Sequence, residues 1–272
     1  MNVIFLEYLF IQNYKKDIKI IKSDEKFIIS DKIPQKLLDQ INDHLKTPAT
    51  QKDIAQIIQT TKEEFLSKNL FNGKKLGLYS FVSKRSPKSE KQIIEIKLFK
   101  TDYFTHKIMK KIIQNHKIKN SVFIDRPYFF FTAFGLNIFL TKNNKTILTL
   151  RKNKKLSPTV SEGIIPSDIK EGFLNIEKLI QRALMEEIGP IHIENYKLLD
   201  FFLVKTNLDF GLSVEVSTKT KLKECIYLPA KDKAKESAGH LIINLKKYKK
   251  KEDSVSYLTD ILRSYILRKK FY

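Results

Sequence analysis

Tryptophan is absent from this chain, cysteine occurs once, and glycine and proline number only eight each in 272 residues. A single cysteine, Cys225, excludes an intrachain disulfide and suits a reducing compartment, so a cytoplasmic location is expected. The residues around it, Ile226 and Tyr227, suggest a buried and inert position in a strand. No apolar run approaches the length of a membrane span, and no membrane partner is expected. The opening MNVIFLEYLFIQNYKK is apolar but short, is interrupted by Glu7 and has no basic segment ahead of it. It reads as a buried strand and not as a signal peptide. The five histidines have no metal-ligand spacing, so zinc is not indicated. Internal repeats and low-complexity linkers are also missing.

Basic charge is abundant. The formal net charge is +21, and a lysine-rich surface attracts phosphate through counterion release, which makes nucleic acid a candidate partner. Only six of the 51 basic residues are arginine, however, and arginine is the side chain suited to base readout and bidentate phosphate clamping. The charge is also spread, with +11 over residues 1–130 and +10 over residues 131–272. The densest cluster, LKKYKKKED, reads as a solvated loop before a last helix.

With 42% apolar residues the chain can fill the cores of one large or two ordinary domains. A boundary is expected near 120–127, which divides the chain into an N-terminal α/β domain, 1–125, and a second domain, 126–272. In the first, strands are expected at 3–11, 27–30, 76–82 and 92–99, with helices at 35–45, 52–68 and 102–116. TPATQKDIAQIIQTTKEEFLSK has the cadence of a helix-turn-helix, but Gln59 stands where the turn favours glycine, and one continuous helix is the better reading. In the second, the aromatic run at 128–131 reads as core, strands are expected at 198–204 and 211–217, and an apolar stripe from Val255 to Ile266 marks a closing helix.

The segment with most chemistry is SEGIIPSDIKEGFLNIEKLIQRALMEEIGP, from Ser161 to Pro190. Asn175 is the expected N-cap, Ile176, Leu179, Ile180, Ala183, Leu184 and Ile188 recur at helical spacing, and Gly189 suits a left-handed C-cap. Glu186 and Glu187 fall near the helix C-terminus, where mutual repulsion and the macrodipole both oppose them. A divalent cation would offset that cost. The alternative is that Arg182 pairs with Glu186 one turn away and Glu187 is solvated. Upstream, GLNIFLTKNNKTILTLRKN reads as a hairpin about a Lys142–Lys145 turn, followed by a short strand at 159–163.

Hairpin, strand, loop and helix with terminal glutamates resemble the Nudix hydrolase superfamily, whose signature is G-x5-E-x7-R-E-U-x-E-E-x-G-U, U being a bulky aliphatic residue. RALMEEIGP matches at Arg182, Leu184, Glu186, Glu187 and Gly189. It departs at Ala183, where the family has a third carboxylate, and at Pro190. In strict register the motif glycine falls on Asp168 and its first glutamate on Leu174; Gly163 fits the glycine only with five extra loop residues. The resemblance implies a mixed-sheet α/β/α sandwich over about residues 132–272. It implies Glu186 and Glu187 as ligands of magnesium or manganese, and Gly163 and Arg182 as the backbone and orienting group of that site. It implies Glu162, Glu187 and the late-loop Glu236 as catalytic acids, with Asp232 a weaker candidate. The ligand would be a nucleotide or another diphosphate-linked molecule, hydrolysed by metal-activated water. The alternative is a catalytically inactive protein of the same fold that binds, with nucleic acid as one partner. Oligomeric state is not legible in the residues.

Overall fold

The computed structural model describes residues 3–8, 15–85, 91–152, 156–206, 208–230, 237–247, 261–262 and 265–266. In chain order the strands are β1 (Val3–Tyr8), β2 (Lys15–Lys26), β3 (Lys74–Arg85), β4 (Lys91–Asp102), β5 (Phe134–Lys142), β6 (Lys145–Arg151), β7 (Leu156–Ser157), β8 (Val160–Gly163), β9 (Ile169–Lys170), β10 (Phe173–Leu174), β11 (Ile193–Val204), β12 (Phe210–Thr218) and β13 (Ser237–Asn244). The helices are α1 (Gln35–Asn42), α2 (Gln51–Ser67), α3 (Tyr103–His116), α4 (Val122–Asp125), α5 (Ile176–Glu187) and α6 (Leu222–Tyr227). None is long and apolar enough to cross a membrane.

Two mixed sheets organise these elements. One runs β3-β4-β2-β10-β9, with β2 and β4 parallel. The other runs β1-β11-β12-β5-β6-β13, with β12 and β5 parallel, β7 paired to β6, and β8 paired to β5. The pairing crosses the expected 125/126 boundary in both directions. β1 is the edge strand beside β11, and the β9–β10 hairpin is joined to β2.

The second sheet is buried on both faces, which explains why its strands read as apolar runs more than as alternation. Ile138, Leu140, Ile147, Phe201 and Leu203 enter a core shared with α5 and the first sheet, whereas Phe139, Leu148, Phe202 and Val204 face a second cluster closed by Ile261, Leu262, Tyr265 and Ile266. Tyr265 stacks on Phe139 at 3.9 Å between ring centroids and donates to Glu215 Oε2 at 2.9 Å. The mixed-sheet α/β fold class expected from sequence is thus found, and the described residues 261, 262, 265 and 266 are helical and buried.

Local chemistry explains the elements around the site. Asn143 and Asn144 hold φ of 51° and 58°, which close the two-residue turn between β5 and β6 with the left-handed twist that asparagine tolerates. α2 is one continuous helix capped by a reciprocal Thr50–Asp53 box. Asn175 Oδ1 accepts from Lys178 N at 2.9 Å and starts α5 as expected. Leu179, Ile180 and Leu184 of α5 are buried, each worth about 1.5–3 kcal/mol of apolar transfer.

Two expectations change. The strand expected at 27–30 lies earlier, at Lys15–Lys26, because Ile29 N leaves the ladder to donate to Thr105 Oγ1 at 2.8 Å. Cys225 is buried, but in α6 and not in a strand.

Gly189 ends α5 with φ of 115°, and a Cβ there would lie 2.6 Å from the Pro229 carbonyl oxygen. Gly189→Ala is therefore expected to cost about 2–4 kcal/mol, from a backbone conformation alanine avoids and a contact with an atom that cannot give way. Urea denaturation of the two proteins measures it; a loss below about 1 kcal/mol would mean that α5 can end another way.

Candidate functional site

The site begins where β8 leaves the sheet. Gly163 pairs with Gly135 of β5, Ile164 N donates to the Phe134 carbonyl at 2.9 Å, and the chain then turns through residues 166–168. Asp168 closes that turn by accepting from Ile165 N at 3.0 Å and is fully buried. The segment between this turn and α5 is the β9–β10 hairpin, whose Glu171–Gly172 tip has positive φ at both residues. This hairpin lies between Gly163 and α5, and Phe173 anchors it by pairing with Ile21 of β2.

Arg182 binds the whole loop together. Its Nε and Nη2 donate to the two oxygens of Asp168, both at 2.9 Å, and Nη2 also donates to the Gly163 carbonyl at 2.9 Å. Nη1 donates to Glu186 Oε2 at 3.0 Å and lies 3.6 Å from Glu162 Oε1. A planar fork is what allows one side chain to serve all of these. Burial opposes the charge on Arg182, but the Asp168 hydrogen bonds and the charges of Asp168, Glu162 and Glu186 outweigh it and raise its pKa. Glu162 accepts from Gly163 N at 2.9 Å; burial pushes its carboxyl above the usual range and Glu186 adds to that, against the pull of Arg182.

Glu187 takes a different direction. It is 7% exposed and faces Arg151 at the end of β6, with 3.5 Å between Oε2 and Nη2, while Arg151 Nε donates to Ser157 Oγ at 3.1 Å. Ala183, one turn earlier, is fully buried in the core. The structure thus brings Glu162, Gly163, Arg182 and Glu186 together and directs Glu187 to a second arginine. Glu236 and Asp232 lie outside the described residues.

Three participants were not singled out from sequence as site residues: Asp168, Arg151 and Lys75. Asp168 had a signal, its place fourteen residues before Arg182 in the motif register; the other two come from strands distant in sequence. Lys75 of β3 stands across from the loop, with its Nζ 3.1 Å from the position a Cβ on Gly163 would occupy and 5.3 Å from the Tyr103 ring centroid. Beyond it, His106 of α3 has Nδ1 3.0 Å from Thr132 Oγ1 and Nε2 3.9 Å from Asp209 Oδ1. Burial, reinforced by Lys75, Lys110 and Lys107, pushes the His106 pKa down to about 3. Burial pushes Asp209 up to about 6, with Lys110 and Lys75 opposing.

Magnesium or manganese, the metals implied by the sequence resemblance, does not fit the described donors as they are arranged. Among the described residues no three carboxylates, histidines or cysteines converge in a way that could hold a metal ion. Ala183 offers no oxygen, Glu162 and Glu186 share one guanidinium, and Glu187 faces another.

No protein-family profile matches this sequence, and no curated protein does. Similar solved structures include Tm1382, provisionally assigned as a Nudix hydrolase, at 10% identity over 76% of this chain and 95% of that one, with a TM-score of 0.40. They also include the Bacillus subtilis pyrophosphohydrolase BsRppH, at 16% identity over 50% of this chain and 80% of that one, with a TM-score of 0.32. DR0079 from Deinococcus radiodurans is 13% identical over 42% of this chain and 68% of that one, with a TM-score of 0.30. The hairpin, strand, loop and capped helix expected from the sequence are present in that order in the C-terminal part of this chain.

Two outcomes follow from this geometry. Arg182→Met leaves Asp168 buried without its counterion and is expected to cost about 3–5 kcal/mol, measured as a shift in urea midpoint; Arg182→Lys should recover little, because one ammonium cannot replace the fork. The second concerns pH. Asp209, with its folded pKa raised, is destabilising above pH 6 and loses that effect as pH falls toward the unfolded value near 4. His106, with its folded pKa lowered, is neutral in the fold while the unfolded chain takes up a proton, so it costs stability as pH falls below about 6.5. The two oppose each other between pH 4 and 6. Asp209→Asn should therefore steepen the acid loss of stability in that window and His106→Gln should reduce it; parallel midpoint-versus-pH curves for all three proteins would contradict both assignments.

Proposed function

We propose that this chain is a Nudix-like protein that recognises a nucleotide or another diphosphate-linked ligand beside the β8–α5 loop and does not hydrolyse it. The observation that carries this reading is the commitment of the motif carboxylates to arginine: Glu186 and Glu162 to Arg182, and Glu187 to Arg151. A hydrolase of this type needs its carboxylates free to hold a cation against the diphosphate. Here the cations are built into the protein, and the carboxylates serve to position them. Lys75 puts an ammonium group beside Gly163 and Glu162 and supplies the attraction for phosphate. A buried Ala183 is consistent with binding, because a carboxylate at that position would have to enter the core.

The test uses a nucleoside diphosphate sugar as probe, with magnesium and manganese each present at millimolar concentration. Binding by calorimetry without release of nucleoside monophosphate is expected, and Lys75→Ala should weaken it by about tenfold, near 1.4 kcal/mol. Ala183→Glu should lower stability by about 2–4 kcal/mol without tightening metal binding. Turnover by the natural protein, or a gain in metal affinity on Ala183→Glu, would return the glutamates to a catalytic role.

A further inference from the structure

At the other end of β5, the Lys142–Lys145 turn is one wall of a cavity of about 510 Å³. Lys142 and Lys145 stand opposite each other across the turn, and Lys221 and Lys223 reach the same space from α6 and the residue before it. The floor is apolar, formed by the buried Leu222 and the half-buried Ile242. The amide side chains of Asn143 and Asn244 also line it, and among the described residues none of the lining is acidic.

This arrangement is electrostatically costly as it stands. Like charges paired directly across a hairpin destabilise it, and two more lysines line the same cavity. Lys142 donates to the Lys219 carbonyl. Lys221 has Glu224 at 3.4 Å, but both side chains are mostly exposed, and such a pair contributes little. The cavity is of small-molecule size, since ligand pockets run from about 300 to 1,000 Å³. A surface that binds only the nucleic-acid backbone would not need the aliphatic floor.

We propose that this cavity is a second anion site, which takes a nucleoside di- or triphosphate: the phosphates among the four lysines, the base on Leu222 and Ile242, and the base edge within reach of the two asparagine amides. The inference does not depend on the reading of the β8–α5 loop. Gly163 pairs with Gly135, and Lys142 is seven residues further along β5, about 23 Å at the rise of an extended strand.

The experiment is calorimetry with ATP and with inorganic tripolyphosphate at 50 and 200 mM salt, on the natural protein and three variants. Lys221→Glu combined with Lys223→Glu should weaken ATP at least tenfold, and Lys145→Glu alone should weaken it about fivefold. Lys32→Glu combined with Lys36→Glu changes the net charge by the same amount at exposed positions of the N-terminal part and should change affinity less than twofold. Tripolyphosphate should bind about tenfold more weakly than ATP, since it leaves the floor uncovered. Equal losses in the two double variants would reduce the effect to bulk charge and overturn the site, as would absence of ATP binding by the natural protein at 50 mM salt. Tripolyphosphate binding as tightly as ATP would overturn the role of the floor. A single-stranded RNA 12-mer that binds more tightly than ATP and loses that affinity on Lys221→Glu with Lys223→Glu would assign these lysines to nucleic acid instead.

Discussion

The fork between Arg182 and Asp168 is the contact on which the site depends. It joins a buried carboxylate in a tight turn to the middle of α5, and the same guanidinium holds the last carbonyl of β8. The segment between β8 and α5 is twelve residues long and carries its own small hairpin, so without this anchor the helix would be tied to the sheet by its apolar face and by the Glu187–Arg151 pair near its end. Ordering a loop of that length costs conformational entropy, and a multidentate charge-assisted contact to a buried partner is among the few local interactions strong enough to offset it. The anchor also fixes what the glutamates can do. Glu186 and Glu162 are drawn to a cation that cannot leave.

The apolar side of this arrangement was largely legible in the residues. The cap at Asn175, the stripe from Leu179 to Ile188, the stop at Gly189 and the two-residue asparagine turn are each decided within a few residues of sequence, and the chain adopts each of them. Single-helix α2 belongs to the same class, because its capping box is local. β2 was missed for the opposite reason: KKDIKIIKSDEK is mostly charged, and it becomes a strand through its parallel pairing with β4, some 75 residues later. Cys225 was misread because β-branched and aromatic neighbours suggest a strand, whereas the packing of Leu222 and Cys225 into the core favours one and a half turns of helix.

The site was half legible. Arg182, Glu186 and Gly163 follow from a motif read along one loop and helix. Arg151 and Lys75 cannot, since each arrives from a strand whose register against the others is set by long-range pairing. Those two residues are the ones that change the chemistry, because they bring positive charge to positions where the motif alone suggests negative charge seeking a metal. The departure at Ala183 has a physical reading in the same terms: the position belongs to the core, and its neighbours have closed over it.

The interleaving of the two sheets has a consequence for how the chain is made. β1 finds its partner β11 only when residue 204 has been synthesised, and β2 waits for β10 before its second edge is covered. A ribosome releasing the chain from its N-terminus therefore exposes an apolar first strand and an unpaired sheet edge for some 150 to 200 residues of elongation, about 10–40 s at ordinary synthesis rates. Neither half can be finished before the other has begun, so the nascent chain is the stage at which this protein is most open to the wrong partners, and holding the first strand apart during that interval is a task that falls to its surroundings.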